Sequence, residues 1–253
     1  MVLLSMTYKE IYDNLKKDKR KVDIRKERLL PKAIKYLKQR RVFPAWVWYE
    51  YKIPSTNNQY VIFFYAANSK CATQPESDAF CFLFEGNQRF VIKWGVGTYN
   101  PKGMGLTAIR TLNIYTSHFI QRYNERCIKN ESLTPNDVMC RYLSRNPIVT
   151  PIRVDEDINR KWKEYGEENG IGFHVNDGIC FVSSTTELET DEEDTDNKPI
   201  AMMYYYKTYV SKNEMNKEQW DVISKRYVDM WKKSMADYYA QAVDGKITLR
   251  LES

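Results

Sequence analysis

The sequence predicts an α+β protein: an antiparallel sheet or sheets, a basic helical N-terminus, a central helical segment and a long C-terminal helix. Three observations carry this. Residues 1–41 keep a helical hydrophobic period, 46–94 hold four aromatic and β-branched runs cut by turn residues, and later β-rich stretches alternate with helical ones.

Thr7 followed by Glu10 is a capping-box pattern, with Ile11, Tyr12 and Leu15 at helical spacing behind it, which predicts a short first helix. A second is expected over 22–41. Pro31 falls inside that span, so the helix should begin anew near Leu30 with Pro31 in its first turn, and Ala33, Ile34, Leu37 and Val42 on its apolar side. The runs 46–53, 59–66, 79–85 and 88–94 then read as an antiparallel meander. Gly86-Asn87 forms the two-residue turn between the last two. Gly95, Gly97, Gly103 and Gly105 surround Pro101 without the strand-to-helix context of a nucleotide-binding loop, and read as a flexible loop.

A β-like run over 106–115 follows, then a helix over 117–128 with Ser117 as its cap. Thr134-Pro135-Asn136 opens another helix, which runs to Arg145 and is stopped by Asn146-Pro147. A charged helix is expected over 155–168. Asn176-Asp177-Gly178 joins the strands 171–175 and 179–186 in a hairpin. The acidic run 187–196 is expected as an exposed loop, 199–211 as a strand and 218–243 as the closing helix. The strands form one sheet or two. The chain is either two units, 1–95 with the basic helices and meander and 106–253 with the candidate site, or one intertwined domain.

Composition narrows the function. Five cysteines far apart, in contexts such as Phe80-Cys81-Phe82, read as free and mostly buried thiols of a reducing compartment. With no apolar run long enough to span a bilayer and no signal-like N-terminus, the expected location is cytoplasmic, with no membrane partner. Two histidines and unpaired cysteines give no zinc ligand set, and no cofactor is expected. The net charge of +6 is uneven. Residues 1–41 carry fourteen Lys or Arg against five acids, a net +9, whereas 187–196 hold seven acids and no base. A basic body suits RNA or another polyanion; the competing reading is an ordinary solvated helix face. Trp46, Trp48, Tyr49 and Tyr51 alternate along a strand, either as core or as a surface on which bases stack.

One segment points to chemistry. In Ser117-His118-Phe119-Ile120-Gln121-Arg122-Tyr123-Asn124-Glu125-Arg126-Cys127, helical spacing puts His118, Arg122 and Arg126 on one face beside an apolar stripe of Phe119, Tyr123 and Cys127. An imidazole exchanges protons near neutral pH, and guanidiniums grip phosphate and stabilise developing charge. The 2′-hydroxyl of RNA supplies the nucleophile, so such a set cleaves RNA without metal. This segment resembles the His-x3-Arg-x3-Arg helix of small toxin-like proteins related in fold to the barnase, colicin-D and RelE ribonuclease group. The resemblance covers Ser117 to Cys127 and extends loosely to the hairpin after Asn176 and to Lys207-Thr208-Tyr209. It implies an endoribonuclease with His118, Arg122 and Arg126 as site residues, and Lys207, Thr208 or Tyr209 facing them from a curved sheet. The alternatives are surface ion pairing for the arginines and, for the protein, a non-catalytic nucleic-acid- or protein-binding module.

Overall fold

The computed structural model describes residues 1–99, 107–147, 149–152, 171–189 and 198–215, with scattered positions from 217 to 232. The N-terminal helix α1 spans Tyr8–Lys38. Its capping box is formed: the Glu10 amide donates to Thr7 Oγ1 at 3.3 Å, and the Thr7 amide donates to Glu10 Oε2 at 2.8 Å. The two helices expected here are one. Pro31 lies inside α1 with its side chain exposed, between buried Leu29 and Ala33. Proline removes one backbone hydrogen bond, to Glu27, whose carbonyl by helical spacing is on the solvent side, so packing of the apolar stripe carries the helix through.

The strands form one sheet. β1 (Ala45–Lys52), β2 (Gln59–Ala66), β3 (Glu76–Glu85) and β4 (Gln88–Tyr99) make the expected antiparallel meander, with Glu85 opposite Gln88 across the Gly86 turn. β5 (Thr107–Tyr115) pairs antiparallel with β4. The expected glycine loop is therefore partly strand: Gly95 and Gly97 sit within β4, and 100–106 lie outside the described residues. A Cβ on Gly95 would come 2.6 Å from Thr111 Oγ1 and 2.9 Å from Asn113 Nδ2, so its glycine serves close cross-strand approach, not loop flexibility.

β6 (Thr150–Ile152), β7 (Ile171–Val175), β8 (Gly178–Glu189) and β9 (Lys198–Ser211) complete the sheet in the order β1-β2-β3-β4-β5-β9-β8-β7-β6. The pairing of β5 with β9 is parallel, from Arg110 opposite Ala201 to Tyr115 opposite Tyr206, so the sheet is mixed and not purely antiparallel. This pair joins the meander to the β7–β8 hairpin in one continuous ladder. The charged helix expected over 155–168 and the acidic residues 190–196 lie outside the described residues. The closing helix expected over 218–243 lies largely outside them, and a long C-terminal helix is not among the described elements.

Both faces of the sheet are covered, which explains the nearly unbroken apolar run of β2. Tyr60, Ile62, Phe64 and Ala66 face α1 through Ile11, Leu15, Val22, Ala33 and Leu37. Val61 and Phe63 face the opposite core, built on α2 (Ser117–Tyr123) and α3 (Pro135–Arg145) with Phe119, Tyr123, Met139 and Tyr142. Trp46 and Trp48 turn to this second core: Trp46 Nε1 donates to Ser144 Oγ at 2.6 Å and Trp48 Nε1 to Asp137 Oδ1 at 2.7 Å. Val47, Tyr49 and Tyr51 turn the other way, toward α1. The cysteines are free; Cys81, Cys140 and Cys180 are buried, and Cys71 and Cys127 half-buried.

Candidate functional site

The helix carrying the His/Arg stripe forms where the sequence places it, with its cap one residue earlier. Thr116, not Ser117, caps α2, its Oγ1 accepting from the Phe119 amide at 3.1 Å. Ser117 instead stitches the helix to β4: its hydroxyl accepts from the Arg89 amide at 2.7 Å and donates to the Arg89 carbonyl at 2.6 Å. After Tyr123 the helix widens into a π-turn, Asn124–Ile128, closed by the Lys129 amide donating to the Asn124 carbonyl, with Lys129 in the left-handed region at φ 57°.

His118 is exposed, with a pKa held below the usual imidazole value, first by partial burial and then by the charges of Arg122 and Arg126. The two guanidiniums already have partners. Arg122 Nη1 donates to Glu125 Oε2 at 2.9 Å. Arg126 Nη1 donates to the Tyr209 carbonyl at 2.7 Å, and its Nε lies 3.5 Å from Glu214 Oε1.

The strand that carries Lys207 and Tyr209 is not regular. Strand alternation would put them together, but β9 carries a bulge: Thr208 pairs with Phe181 and Tyr206 with Val182, leaving Lys207 as the extra residue. The bulge turns Tyr209 onto the same core face as Tyr206. Tyr209 is fully buried there, its hydroxyl donating to the Asp177 carbonyl at 2.5 Å and its pKa raised by burial. A phenol so enclosed touches no substrate. Thr208 is also buried. The structure thus brings His118, Arg122 and Arg126 near one another but separates Tyr209 from solvent.

A cavity of about 190 Å³ beside α2 is lined by Arg89, Ser117, Ile120, Gln121, Asn124, Leu133, Pro135 and Val138, on the opposite edge of the helix from the His/Arg stripe. Among the described residues, no group of three His, Cys, Asp or Glu is placed to hold a metal ion.

The larger concentration of cations is on α1. Its solvent side carries eleven exposed Lys and Arg against four exposed acids, along about 46 Å of helix. Among the described residues, one ion pair lies along it, Lys26 with Asp23 at 3.8 Å. The helix is fastened to the sheet by its fifth acid. Asp18 is fully buried and accepts from Thr56 Oγ1 at 2.8 Å, Asn58 Nδ2 at 2.6 Å and Tyr60 Oη at 3.0 Å. The sequence registers the N-terminal excess of charge but not its continuity, because Pro31 breaks the reading. The missing signal is the 4-3-4-3 spacing of Lys21, Arg25, Arg28, Lys32 and Lys35, which runs through Pro31 on one helical stripe.

No family model, curated protein or solved structure matches this chain. No helix among the described residues is long and apolar enough to cross a membrane.

Proposed function

We propose that this is a non-catalytic nucleic-acid-binding protein whose binding surface is the solvent face of α1. The observation that carries this reading is the excess of exposed cations over acids along that helix, where one ion pair, Lys26 with Asp23, lies among the described residues. A row of unneutralised cations releases condensed counterions when it meets a phosphate backbone, and this term supplies most sequence-independent affinity. The cations of α2 are fewer and already engaged with Glu125 and the Tyr209 carbonyl.

The test is binding of the purified chain to an RNA 20-mer and an RNA duplex across a salt series. Replacing Lys17, Arg20, Arg28 and Lys35 with Glu should weaken binding at low salt by about 100-fold or more and flatten the dependence of log K on log salt. All four side chains are exposed. Absence of binding by the parent at low salt, or equal binding by the variant, overturns the proposal.

A second reading, metal-independent RNA cleavage, is favoured by one observation: the exposed His118, kept toward its neutral form beside two arginines. It predicts that the same RNA is cut by the parent and left whole by His118→Ala. Cleavage that survives His118→Ala, or no cleavage by the parent, ends that reading.

A further inference from the structure

We infer that the seam between α1 and the edge strand β1 is a single-stranded nucleic-acid track, on which bases stack against Tyr51, Tyr49 and Tyr36 while the adjoining cations of α1 hold the phosphates. The inference rests on the binding role proposed for α1 and narrows it to a substrate class.

β1 is the first strand of the sheet, so among the described residues its outer edge carries no further strand. On the side facing α1 it presents Tyr49 and Tyr51, both half-buried. Tyr36 of α1 extends the row and is 40% exposed. Its hydroxyl is near enough to Tyr49 to help burial raise that phenol's pKa. Each ring has its own cation: Arg25 lies 5.5 Å from the centroid of Tyr51, Lys32 5.1 Å from Tyr49 and Arg40 5.5 Å from Tyr36. Lys21 closes one end, its Nζ donating to Ser55 Oγ at 2.5 Å just beyond β1. Since Lys21 meets Ser55, Arg25 meets Tyr51 and Lys32 meets Tyr49, α1 runs antiparallel to β1 and the seam is continuous. Lys21, Arg25, Arg28, Lys32 and Lys35 line it over about 21 Å of helix.

This chemistry selects one occupant. Rings offered beside cations suit unpaired bases, whose faces are open; the bases of a duplex are stacked on one another and leave only phosphates to meet the helix. A cation resting on a ring is held by the ring's quadrupole alone, and it moves to a phosphate oxygen when a base takes its place on the ring. The contacts are to ring faces and phosphates, not to base edges, so sequence preference is slight.

The experiment compares an oligo(U) RNA 20-mer with a 20-base-pair RNA duplex on the parent chain and on Tyr36→Leu, Tyr49→Leu and Tyr51→Leu. Oligo(U) should bind about 10-fold or more tightly than the duplex. Each variant should lose about 5-fold or more of oligo(U) affinity with an unchanged salt slope and unchanged duplex binding. Tyr36 lies outside the buried core, so its variant reads the surface even if the other two fold poorly. Photocrosslinking the parent to 5-iodouridine-substituted oligo(U) gives an independent readout, with adducts expected on Tyr36, Tyr49 or Tyr51. Equal affinity for both probes with adducts confined elsewhere overturns the seam and leaves the basic-helix reading standing. No binding to either probe overturns both.

Discussion

Asp18 is where the basic helix is held to the sheet, and its removal has a size that can be worked from its contacts. In Asp18→Ala the Thr56 hydroxyl, near the surface, finds water. The Tyr60 hydroxyl and one N–H of Asn58 do not: these residues are 3% and 1% exposed. Each buried donor left without an acceptor costs about 1–3 kcal/mol, so the substitution should cost roughly 4 kcal/mol. That is a large fraction of the ~5–15 kcal/mol that holds an ordinary domain together. Asp18→Asn keeps one acceptor oxygen and should cost about half as much. The assay is urea unfolding followed by circular dichroism, completed by a double-mutant cycle with Tyr60→Phe. Removing the Tyr60 hydroxyl alone loses a hydrogen bond, but in the Asp18→Ala background it removes an orphaned donor and should cost nothing. The cycle should therefore show coupling of about 1 kcal/mol or more, well beyond the ~0.3–0.5 kcal/mol scatter of independent sites. A loss under about 1 kcal/mol for Asp18→Ala, or an additive cycle, would refute the hub.

Burial lowers the pKa of both His118 and His174, with Arg122 and Arg126 adding to the effect at His118. The folded protein then binds fewer protons than the unfolded chain just below the usual imidazole value of about 6.5, so this stability is complete above that value and is lost as the pH falls through it. Melting midpoints should drop between about pH 7.5 and pH 5.5, and a His118→Gln, His174→Gln double variant with an unchanged slope would contradict this. Gly178→Ala should cost at least about 2–3 kcal/mol in urea unfolding, because the new Cβ would press on the Val210 carbonyl and sit 2.9 Å from Tyr209 Oη. Gly86→Ala meets no atom within 4 Å and bears only the strain of its φ of +57°, about 1–2 kcal/mol, so equal losses at the two positions would defeat the steric argument. Arg122→Ala should change stability by no more than about 0.5 kcal/mol, since its pair with Glu125 is exposed; a loss above about 1.5 kcal/mol in thermal or urea unfolding would mean that Arg122 has a structural role beyond that pair.

The meander was legible because its strand ends coincide with residues whose backbone chemistry demands a turn, as at Gly86-Asn87, and because the β-branched runs are buried on both faces. The Asn176-Asp177-Gly178 hairpin was legible for the same reason, with Val175 opposite Gly178 across it. Misreadings came where a local rule was overridden at a distance. Pro31 ends a helix in isolation, yet the buried contacts of Leu29, Ala33 and Leu37 hold α1 together across it. Gly95 and Gly97 suggest a loop, but the side chains of Thr111 and Asn113 on β5 crowd Gly95, and only glycine fits opposite them. The bulge at Lys207 has no signature within Tyr205-Tyr206-Lys207-Thr208-Tyr209. Register there is set by β8, and one extra residue moved Tyr209 from the expected site face into the core. The parallel pairing of β5 with β9 joins segments far apart in sequence, which no local pattern encodes.

The two basic helices differ in what their charges already do. On α2 the stripe is short and its guanidiniums have found a carboxylate and a carbonyl within the fold, so their interaction energy is largely spent inside the molecule. On α1 like charges recur at the three- and four-residue spacings that bring side chains together, each such pair destabilising the helix by about 0.2–0.5 kcal/mol. Stability alone would favour acids at some of these positions, as Asp23 shows beside Lys26. The helix stands nonetheless, because burial of Ile11, Leu15, Val22 and Leu37 and the contacts of Asp18 outweigh the repulsion. A polyanion laid along α1 removes that repulsion and binds the folded state preferentially, so the charge that weakens the free protein favours its complex through mass action.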